Sequence, residues 1–268
     1  MFQEQVFNAD GVQINFVETS HSGQPIVLLH GTASEWQSFL PLIPVFAQNF
    51  KVFAVDLRGH GRSSWVSGNY RLFDYAKDIK CFLENHIGHP CILYGHSLGA
   101  QIAIAVTSLT PTYVGALVLG DIPFYYHNMK MKDTMWYEPF MELHHVTSSF
   151  HSAKEIDDYM AQNYPNMDEQ RRKKRAETLS HVDPEAVAAI LEDHHVEGYD
   201  TDTLLRQITC RVLLIQGDPE LEAALKDEDV AYMAERIQNC EIVHMKDIGH
   251  GLPLRESLAS VKTFLESV

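Results

Sequence analysis

Length, composition and charge limit the kinds of protein that this chain can be. Its 268 residues are 45% apolar and 21% charged, which is enough for one large hydrophobic core with a smaller appended element. Acidic residues outnumber basic ones by 36 to 21, giving a formal net charge of -15, and such a charge disfavours a polyanionic partner such as nucleic acid or an acidic membrane face. We therefore expect a small-molecule ligand, and a neutral one is the easiest to accommodate. The sequence does not indicate an oligomeric state.

The N-terminal segment and the cysteines argue against further classes. Residues 1–10 lack a basic stretch followed by an apolar run, and the chain has no run of the ~18 consecutive apolar residues that a membrane span needs. We therefore predict a soluble, cytoplasmic protein. The cysteines are scattered singly, without a C-x-x-C pair, so we interpret them as buried thiols and expect neither a metal nor an organic cofactor. They are Cys81, Cys91, Cys210 and Cys240.

The chain opens with a pattern typical of a β-hairpin. Two β-rich segments, residues 3–7 and 12–19, flank Asn8-Ala9-Asp10-Gly11, which has the composition of a turn. Further along, short unbroken apolar runs indicate strands that are buried on both faces of a mainly parallel sheet. These runs are Ile26–Leu29, Val52–Val55, Ile92–Tyr94, Ala116–Leu119, Val212–Ile215 and Ile242–Met245.

Helix-length amphipathic segments separate or follow these runs. An alternation of strand and helix predicts a doubly wound α/β core. The predicted helices are Trp36–Gln48, Phe73–His86, Leu98–Leu109, Asp229–Ile237 and Leu254–Ser267.

The alternation is interrupted once, between Leu119 and Val212. Helical periodicity continues there without a buried apolar run. We therefore predict a helical cap inserted at residues 123–206, between two parts of one core domain at residues 1–122 and 207–268.

Aromatic and basic residues give the predicted insert its character. Its aromatic residues could line a pocket for an apolar group or pack the insert onto the core; they include Phe124, Tyr125, Trp136 and Tyr137. The basic run at residues 171–175 has acidic neighbours, and we interpret it as a solvated helix face rather than a binding patch.

The pentapeptide Gly95-His96-Ser97-Leu98-Gly99 stands where an apolar strand gives way to a helix. A G-x-S-x-G sequence forces a tight turn that holds the serine in a strained conformation, and its glycines let the neighbouring backbone approach. Because a serine hydroxyl is a weak nucleophile at neutral pH, it needs a base, a group that orients the base, and donors for the oxyanion. The context predicts that Ser97 is a nucleophile.

Several motifs in one order resemble the α/β-hydrolase superfamily, from about Gly11 to Val268. His30-Gly31 after the first apolar run is similar to the family's oxyanion loop, and Asp56-Leu57-Arg58-Gly59-His60-Gly61-Arg62-Ser63 is similar to its turn before the next helix. The serine pentapeptide and Gly249-His250 complete the set. The resemblance implies an α/β-hydrolase fold with an inserted helical cap.

The resemblance also implies roles for particular residues. In that family, backbone N–H groups after the nucleophile and in the His-Gly loop form the oxyanion hole; by position these belong to Leu98 and Thr32, with Ala33 a less favoured donor. His250 is implied as the general base. Four other polar residues of the motifs are expected to stabilise turns near the site: Asp56, Arg58, His60 and His96.

Two aspartates compete for the role of orienting His250. Asp218 follows the penultimate predicted strand, where the family normally carries its acid, and the order Ser, Asp, His is then the expected one. However, Asp218 follows Gly217 directly, whereas the family often has two residues between the glycine and the acid. Asp121, at the end of the preceding core strand, is therefore kept as the alternative to the favoured Asp218.

Together these features predict a serine hydrolase that attacks an ester-like or activated carbonyl through Ser97 and forms an acyl-enzyme. An aspartate at this position would indicate a dehalogenase or an epoxide hydrolase, and serine argues against both. Two alternatives stay open. The first is carbon-carbon bond hydrolysis, or a lyase or synthase reaction on the same fold, because a fold does not determine the reaction. The second is a non-catalytic small-molecule receptor, which would not need the complete set of Ser, Asp and His.

Overall fold

A single sheet forms the centre of the molecule. The computed structural model describes residues 2–251 and 258–267. The strands in these ranges are β1 (Glu4–Ala9), β2 (Val12–Glu18), β3 (Pro25–Leu29), β4 (Lys51–Val55), β5 (Cys91–His96), β6 (Val114–Gly120), β7 (Arg211–Gln216) and β8 (Cys240–His244). Their order across the sheet is β1-β2-β4-β3-β5-β6-β7-β8. The pairs β1/β2 and β2/β4 are antiparallel and the other pairs are parallel, which confirms the predicted α/β class.

The first two strands form the predicted hairpin. Ala9 pairs with Val12, and the two residues between them have positive φ angles, 49° at Asp10 and 99° at Gly11. Two positive φ angles are typical of the type I′ turn, whose twist matches that of the flanking strands. The Asn8 side chain accepts a hydrogen bond from the Gly11 N–H at 2.7 Å, which satisfies one backbone donor of the turn.

The central parallel strands are buried on both faces. In β3, Val27 and Leu29 belong to one hydrophobic cluster, whereas Ile26 and Leu28 belong to a second cluster on the opposite face. Because successive side chains of a strand point to opposite faces, an unbroken apolar run fits a sheet with helices on both sides. The edge strand β8 is more open, and Ile242 is 37% exposed because only β7 pairs with this strand.

The helices agree with the predicted segments in most places. Those that the structure describes are α1 (Ile43–Phe46), α2 (Leu72–Phe82), α3 (Leu98–Leu109), α4 (Tyr137–Ser149), α5 (Ala153–Asn163), α6 (Glu169–Ser180), α7 (Pro184–Leu191), α8 (Thr201–Arg206), α9 (Asp227–Arg236) and α10 (Leu258–Leu265).

One predicted helix differs from what is observed, and another is described only in part. The segment Trp36–Gln48 is not one continuous helix, because Pro41 and Pro44 have no N–H to donate to the carbonyl four residues earlier. A 3₁₀ turn at Trp36–Phe39 instead precedes the short α1. The last predicted helix began at Leu254, and residues 254–257 lie outside the described residues. The part that is described, α10, is helical as predicted.

Residues 121–210, between β6 and β7, contain α4 to α8 and no strand; we call residues 123–206 the helical insert. Three of its helices begin at a capping carboxylate that accepts a backbone N–H, which satisfies an orphan donor of the first turn; these caps are Asp168, Asp183 and Asp200. Apolar residues of α4 to α7 pack with Ala33, a core residue, in a third hydrophobic cluster. The insert therefore has its own packing and also covers part of the core.

The insert is held to the core by polar contacts as well. The Asp183 N–H donates to the Gly59 carbonyl at 2.8 Å, and the Asp183 carboxylate accepts the Tyr70 hydroxyl. The Thr178 hydroxyl donates to Glu35 at 3.0 Å.

None of the helices in residues 2–251 and 258–267 combines the length and apolar character of a bilayer-spanning helix.

Candidate active site

Ser97 occupies a sharp turn between β5 and α3. Its φ and ψ are 53° and -121°, an unusual conformation for a residue with a side chain. Both flanking glycines are required by close approach. A Cβ at Gly95 would lie 2.3 Å from the Gly99 carbonyl oxygen, and one at Gly99 would lie 2.1 Å from the Leu29 carbonyl oxygen. The turn therefore presents the serine at the carboxyl end of the central strand.

His250 lies between Ser97 and Asp121. Its Nε2 is 3.1 Å from the Ser97 Oγ, and its Nδ1 is 2.7 Å from the Asp121 Oδ2. A carboxylate only accepts hydrogen bonds, so the proton of a neutral His250 belongs on Nδ1 and Nε2 is free to accept the serine proton. The arrangement is a hydroxyl, a base and an orienting acid in hydrogen-bonded series.

Asp121 is fully enclosed, with 0% of its surface exposed. Its carboxylate accepts backbone N–H groups from Gly217 at 3.1 Å, Ala224 at 2.8 Å and Leu225 at 3.3 Å, in addition to His250. Burial alone would raise the pKa of this carboxyl, but the bonds from His250 and the backbone outweigh it and hold the pKa below its ordinary value. The site therefore keeps Asp121 ionised.

The favoured expectation for the acid is corrected, because Asp218 does not contact His250. The Asp218 carboxylate instead accepts the N–H groups of Glu220 at 3.0 Å and Asp247 at 2.9 Å, and so caps a 3₁₀ turn after β7. Because Asp218 follows Gly217 directly, its carboxylate lies within hydrogen-bonding distance of backbone N–H groups near this turn. Asp121, the alternative, is the carboxylate in contact with the histidine.

His96 fixes the loop that carries His250. The His96 Nε2 donates to the His250 carbonyl at 2.9 Å. Burial, followed by the charge of His250, lowers the pKa of His96 to about 4, so its ring is neutral at pH 7. In the same loop, a Cβ at Gly249 would lie 2.1 Å from the Leu221 carbonyl oxygen. As predicted, His96 supports the site: its ring bonds to the backbone of the loop that carries His250.

His30 orders the loop opposite Ser97. Its Nε2 accepts the Leu57 N–H at 3.0 Å, which leaves Nδ1 to donate to the Gly31 carbonyl at 2.8 Å. Burial lowers the pKa of this imidazole to about 4, so the ring stays neutral. A Cβ at Gly31 would approach the Ser97 Cβ to 3.1 Å. The loop therefore lies directly against the serine.

The two residues expected to supply oxyanion donors line the cavity that contains Ser97. They are Thr32, which follows the His-Gly pair, and Leu98, the first residue of α3. The N–H of a residue in the first helical turn has no partner within the helix, so the Leu98 N–H is available to a ligand.

The charged turn after β4 acts as a support, as predicted. Asp56 accepts the N–H groups of Trp36 at 2.8 Å and Arg62 at 3.0 Å. Arg58 forms a two-pronged ion pair with Asp78, with both N···O distances 2.6 Å. Neither Asp56 nor Arg58 lines the cavity that contains Ser97.

A cavity of about 440 Å³ lies between Ser97 and the helical insert. Of the aromatic residues singled out in the sequence, Tyr125 and Trp136 line it, and the Trp136 ring lies 5.3 Å from that of His250. Phe124 instead packs in the core with 0% exposure, and Tyr137 is not part of the lining. A cavity of this size accommodates a small molecule.

Sequence reasoning missed several polar residues in the cavity wall, among them His195 and Arg175. The Nδ1 of His195 has no hydrogen-bond partner within residues 2–251 and 258–267, and burial lowers the pKa of this imidazole to about 4. Arg175 also lines the cavity, although its basic run was interpreted as a solvated face. Helical periodicity offers a signal for Arg175. The apolar residue Leu179 lies four residues further along the same helix and is buried, so Arg175 lies on the same face of the helix.

Within residues 2–251 and 258–267, no three His, Cys, Asp or Glu side chains are grouped closely enough to hold a metal ion. The polar groups around Ser97 are a hydroxyl, an imidazole, a carboxylate and backbone N–H groups, a set whose chemistry permits nucleophilic attack on a carbonyl.

Comparison with known proteins identifies the family. The model of the alpha/beta hydrolase fold family matches residues 24–190, more than half of the chain, and the chain belongs to that family. The chain is 29% identical over 209 residues to 2-(acetamidomethylene)succinate hydrolase from Mesorhizobium japonicum, covering 75% of this chain and 73% of that protein. It is 32% identical over 126 residues to epoxide hydrolase B from Mycobacterium tuberculosis, covering 45% of this chain and only 35% of the relative.

A solved structure gives the same result for the fold. The crystal structure of E-2-(acetamidomethylene)succinate hydrolase superposes with a TM-score of 0.76 at 23% sequence identity, covering 99% of this chain and 100% of the other. At this identity the likeness establishes the shared fold. The chain is therefore a member of the alpha/beta hydrolase family, and the two curated relatives named above are hydrolases of small molecules.

Proposed function

We propose that this protein is a serine hydrolase that forms an acyl-enzyme on Ser97. The observation that carries the proposal is the hydrogen-bonded series Ser97–His250–Asp121, with distances of 3.1 Å and 2.7 Å. In the proposed reaction the Ser97 Oγ attacks a substrate carbonyl while His250 Nε2 takes the hydroxyl proton, and Asp121 stabilises the resulting imidazolium. His250 then protonates the leaving group, and water releases the acyl group by the same steps.

The backbone N–H groups of Leu98 and Thr32 are the proposed oxyanion donors. Such donors are positioned before charge develops, and losing one costs on the order of 3 kcal/mol of transition-state stabilisation. The His30 bonds to Gly31 and Leu57 support this role, because they orient the loop that carries Thr32.

The bond that is cleaved is proposed to be an ester or an amide. The relative from Mesorhizobium japonicum is named for a substrate with an acetamido group, and an amide carbonyl is attacked by the same serine chemistry as an ester. The relatives named epoxide hydrolase match a smaller share of the chain. Serine at position 97, in place of a nucleophilic aspartate, argues against epoxide opening here.

Residues 123–206 are proposed to act as a cap that determines substrate choice. The core parts, 1–122 and 207–268, supply the reacting groups, whereas much of the cavity wall opposite Ser97 comes from the insert, including Tyr125, Met131 and Phe140. A lid over an active site excludes water and selects the ligand by shape.

A fluorophosphonate probe with peptide mapping tests the nucleophile, followed by an ester, lactone, thioester and amide panel. We expect labelling at Ser97 and hydrolysis of at least one acyl substrate, both lost in Ser97→Ala. Ser108→Ala, which changes a serine at the far end of α3, is the matched control and should retain both. Undiminished turnover in Ser97→Ala would refute the proposal. Labelling without acyl hydrolysis would favour carbon-carbon cleavage or a lyase reaction, and ligand-dependent partner binding without labelling would favour a receptor.

A further inference from the structure

Arg175 has an environment unlike that of the other half-buried or buried arginines. Arg58, Arg172 and Arg236 each have a carboxylate oxygen within 2.6 Å of the guanidinium. Arg175 has no carboxylate within 4.0 Å among the described residues. Its Nη1 donates a hydrogen bond to the Ala33 carbonyl at 2.6 Å. A guanidinium has five N–H donors, so this bond leaves most of its donor capacity unused.

The position of Arg175 connects it to the reacting groups. The residue lines the cavity that contains Ser97 and His250. Its partner Ala33 directly follows Thr32, the proposed oxyanion donor, so the guanidinium lies beside the loop that faces a bound carbonyl. Burial lowers the pKa of Arg175, which shows that its charge is poorly solvated, although a guanidinium stays protonated at neutral pH. A partly buried and unpaired cation favours binding of an anion.

A second cavity of about 470 Å³ adjoins the first and has a positive side. Ser34, Ser38 and Arg175 line both cavities, whereas Arg171, Lys174 and two carboxylates, those of Glu35 and Glu142, line only the second. In a protein with a net charge of -15, a wall with three cations against two carboxylates is a local exception, and it weakens the repulsion of an anion that approaches Ser97. The charge of the whole chain is therefore a poor guide to the charge of its ligand.

On the basis of the proposed function, we propose that the substrate carries a carboxylate that pairs with Arg175. A planar guanidinium binds a carboxylate through two parallel hydrogen bonds, and Arg175 offers one such fork. A carboxylate fits better than a phosphate dianion for two reasons. The neighbouring wall is apolar, with Pro139, Phe140 and Leu143, and among the described residues that line the cavity of Ser97 no Lys or Arg accompanies Arg175. This proposal differs from the expectation of a neutral ligand that the net charge of the chain suggests.

Two esters that differ only in charge test the proposal: 4-nitrophenyl butyrate and 4-nitrophenyl hemisuccinate, in which a carboxylate replaces the terminal methyl group. We expect a higher kcat/KM for the hemisuccinate after subtraction of the enzyme-free rate. Arg175→Gln should raise KM for the hemisuccinate at least about tenfold, equivalent to about 1.4 kcal/mol, with little change for the butyrate. Lys173→Gln, which removes one charge from an exposed part of the same helix, is the control and should preserve the preference.

The other outcomes separate this inference from the proposed function. Equal losses on both esters in Arg175→Gln would show that Arg175 only positions the Ala33 loop, and no loss on either would show that it does not contact the substrate; both results overturn the inference but leave the serine mechanism intact. If wild type hydrolyses neither ester, calorimetric titration with glutarate decides the inference independently of turnover. Binding that Arg175→Gln abolishes and Lys173→Gln retains supports it, and binding that is absent or equal in all three proteins overturns it.

Discussion

The core loops around Ser97 and the insert wall that faces them differ in how far their polar groups are hydrogen-bonded. On the core side, His30 and His96 are neutral rings that each bond to the backbone of a loop. Asp121 receives three backbone N–H groups as well as His250. These contacts satisfy the polar groups before any substrate arrives, which is the condition for preorganised catalysis.

On the insert side, polar capacity is left open. The Tyr125 hydroxyl and the His195 Nδ1 are buried without a hydrogen-bond partner among the residues that the structure describes, and both residues line the cavity. An unsatisfied buried polar group costs about 1–3 kcal/mol, a cost that a ligand can offset by supplying the partner. The comparison teaches that the core holds the groups beside Ser97 in place by internal hydrogen bonds, whereas the insert presents polar groups whose hydrogen bonds a substrate would complete.

The largest effect that would sharpen this comparison is expected at Asp121. Asp121→Asn should lower kcat by about a thousandfold to ten-thousandfold, because an amide no longer stabilises the imidazolium or fixes the His250 tautomer. Asp218→Asn is the matched control. It should change kcat little and reduce the free energy of unfolding by about 1 kcal/mol or less, since asparagine also caps a turn. Steady-state kinetics with chemical denaturation checks both, and a larger kcat loss at Asp218 would restore that residue as the acid.

A smaller effect is expected in the pH dependence of stability. The pKa of Asp121 is lower in the folded protein than its ordinary value, so ionised Asp121 stabilises the fold above the unfolded pKa of about 3.9, and this stabilisation is lost as pH falls through the folded pKa. The stability advantage of wild type over Asp121→Asn should therefore be constant above about pH 5 and shrink below about pH 4. Urea denaturation at several pH values measures it. An advantage that grows on acidification would contradict a lowered pKa.

The smallest effect is expected on the insert side, at Tyr125. Tyr125→Phe removes a hydroxyl that has no partner, so the free energy of unfolding should stay the same or rise by up to about 1 kcal/mol. If a substrate bonds to this hydroxyl, KM for that substrate should rise about three- to tenfold while kcat changes little. Tyr137→Phe, outside the cavity lining, is the control and should affect neither. A fall in stability at Tyr125 with unchanged KM would break the contrast between core and insert.

The sequence was sufficient to predict the fold because its local signals agreed with one another. Unbroken apolar runs such as Ile26–Leu29 require cover on both faces, and the turn chemistry of Asp10-Gly11 produces the observed hairpin. The glycines at positions 95 and 99 likewise predict a close approach of backbone segments, because a Cβ at either position would overlap neighbouring backbone atoms. Each of these is a local consequence of residue type and spacing.

The acid opposite His250 required the tertiary structure. Asp121 and Asp218 follow the neighbouring parallel strands β6 and β7, so both lie at the same edge of the sheet and the sequence does not distinguish them. The backbone distinguishes them. Asp121 has a φ of 37°, and N–H groups at Gly217, Ala224 and Leu225 converge on its carboxylate.

What the sequence determined by itself was the α/β class, the helical character of the insert and the serine turn, since each follows from periodicity or from steric limits within a few residues. What only the tertiary structure decided was which side chains meet across the site. Asp121 rather than Asp218 reaches His250, and Arg175 faces the cavity rather than solvent. These pairings join residues far apart in the chain, and long-range packing and backbone hydrogen bonding, not local pattern, determine where such residues meet.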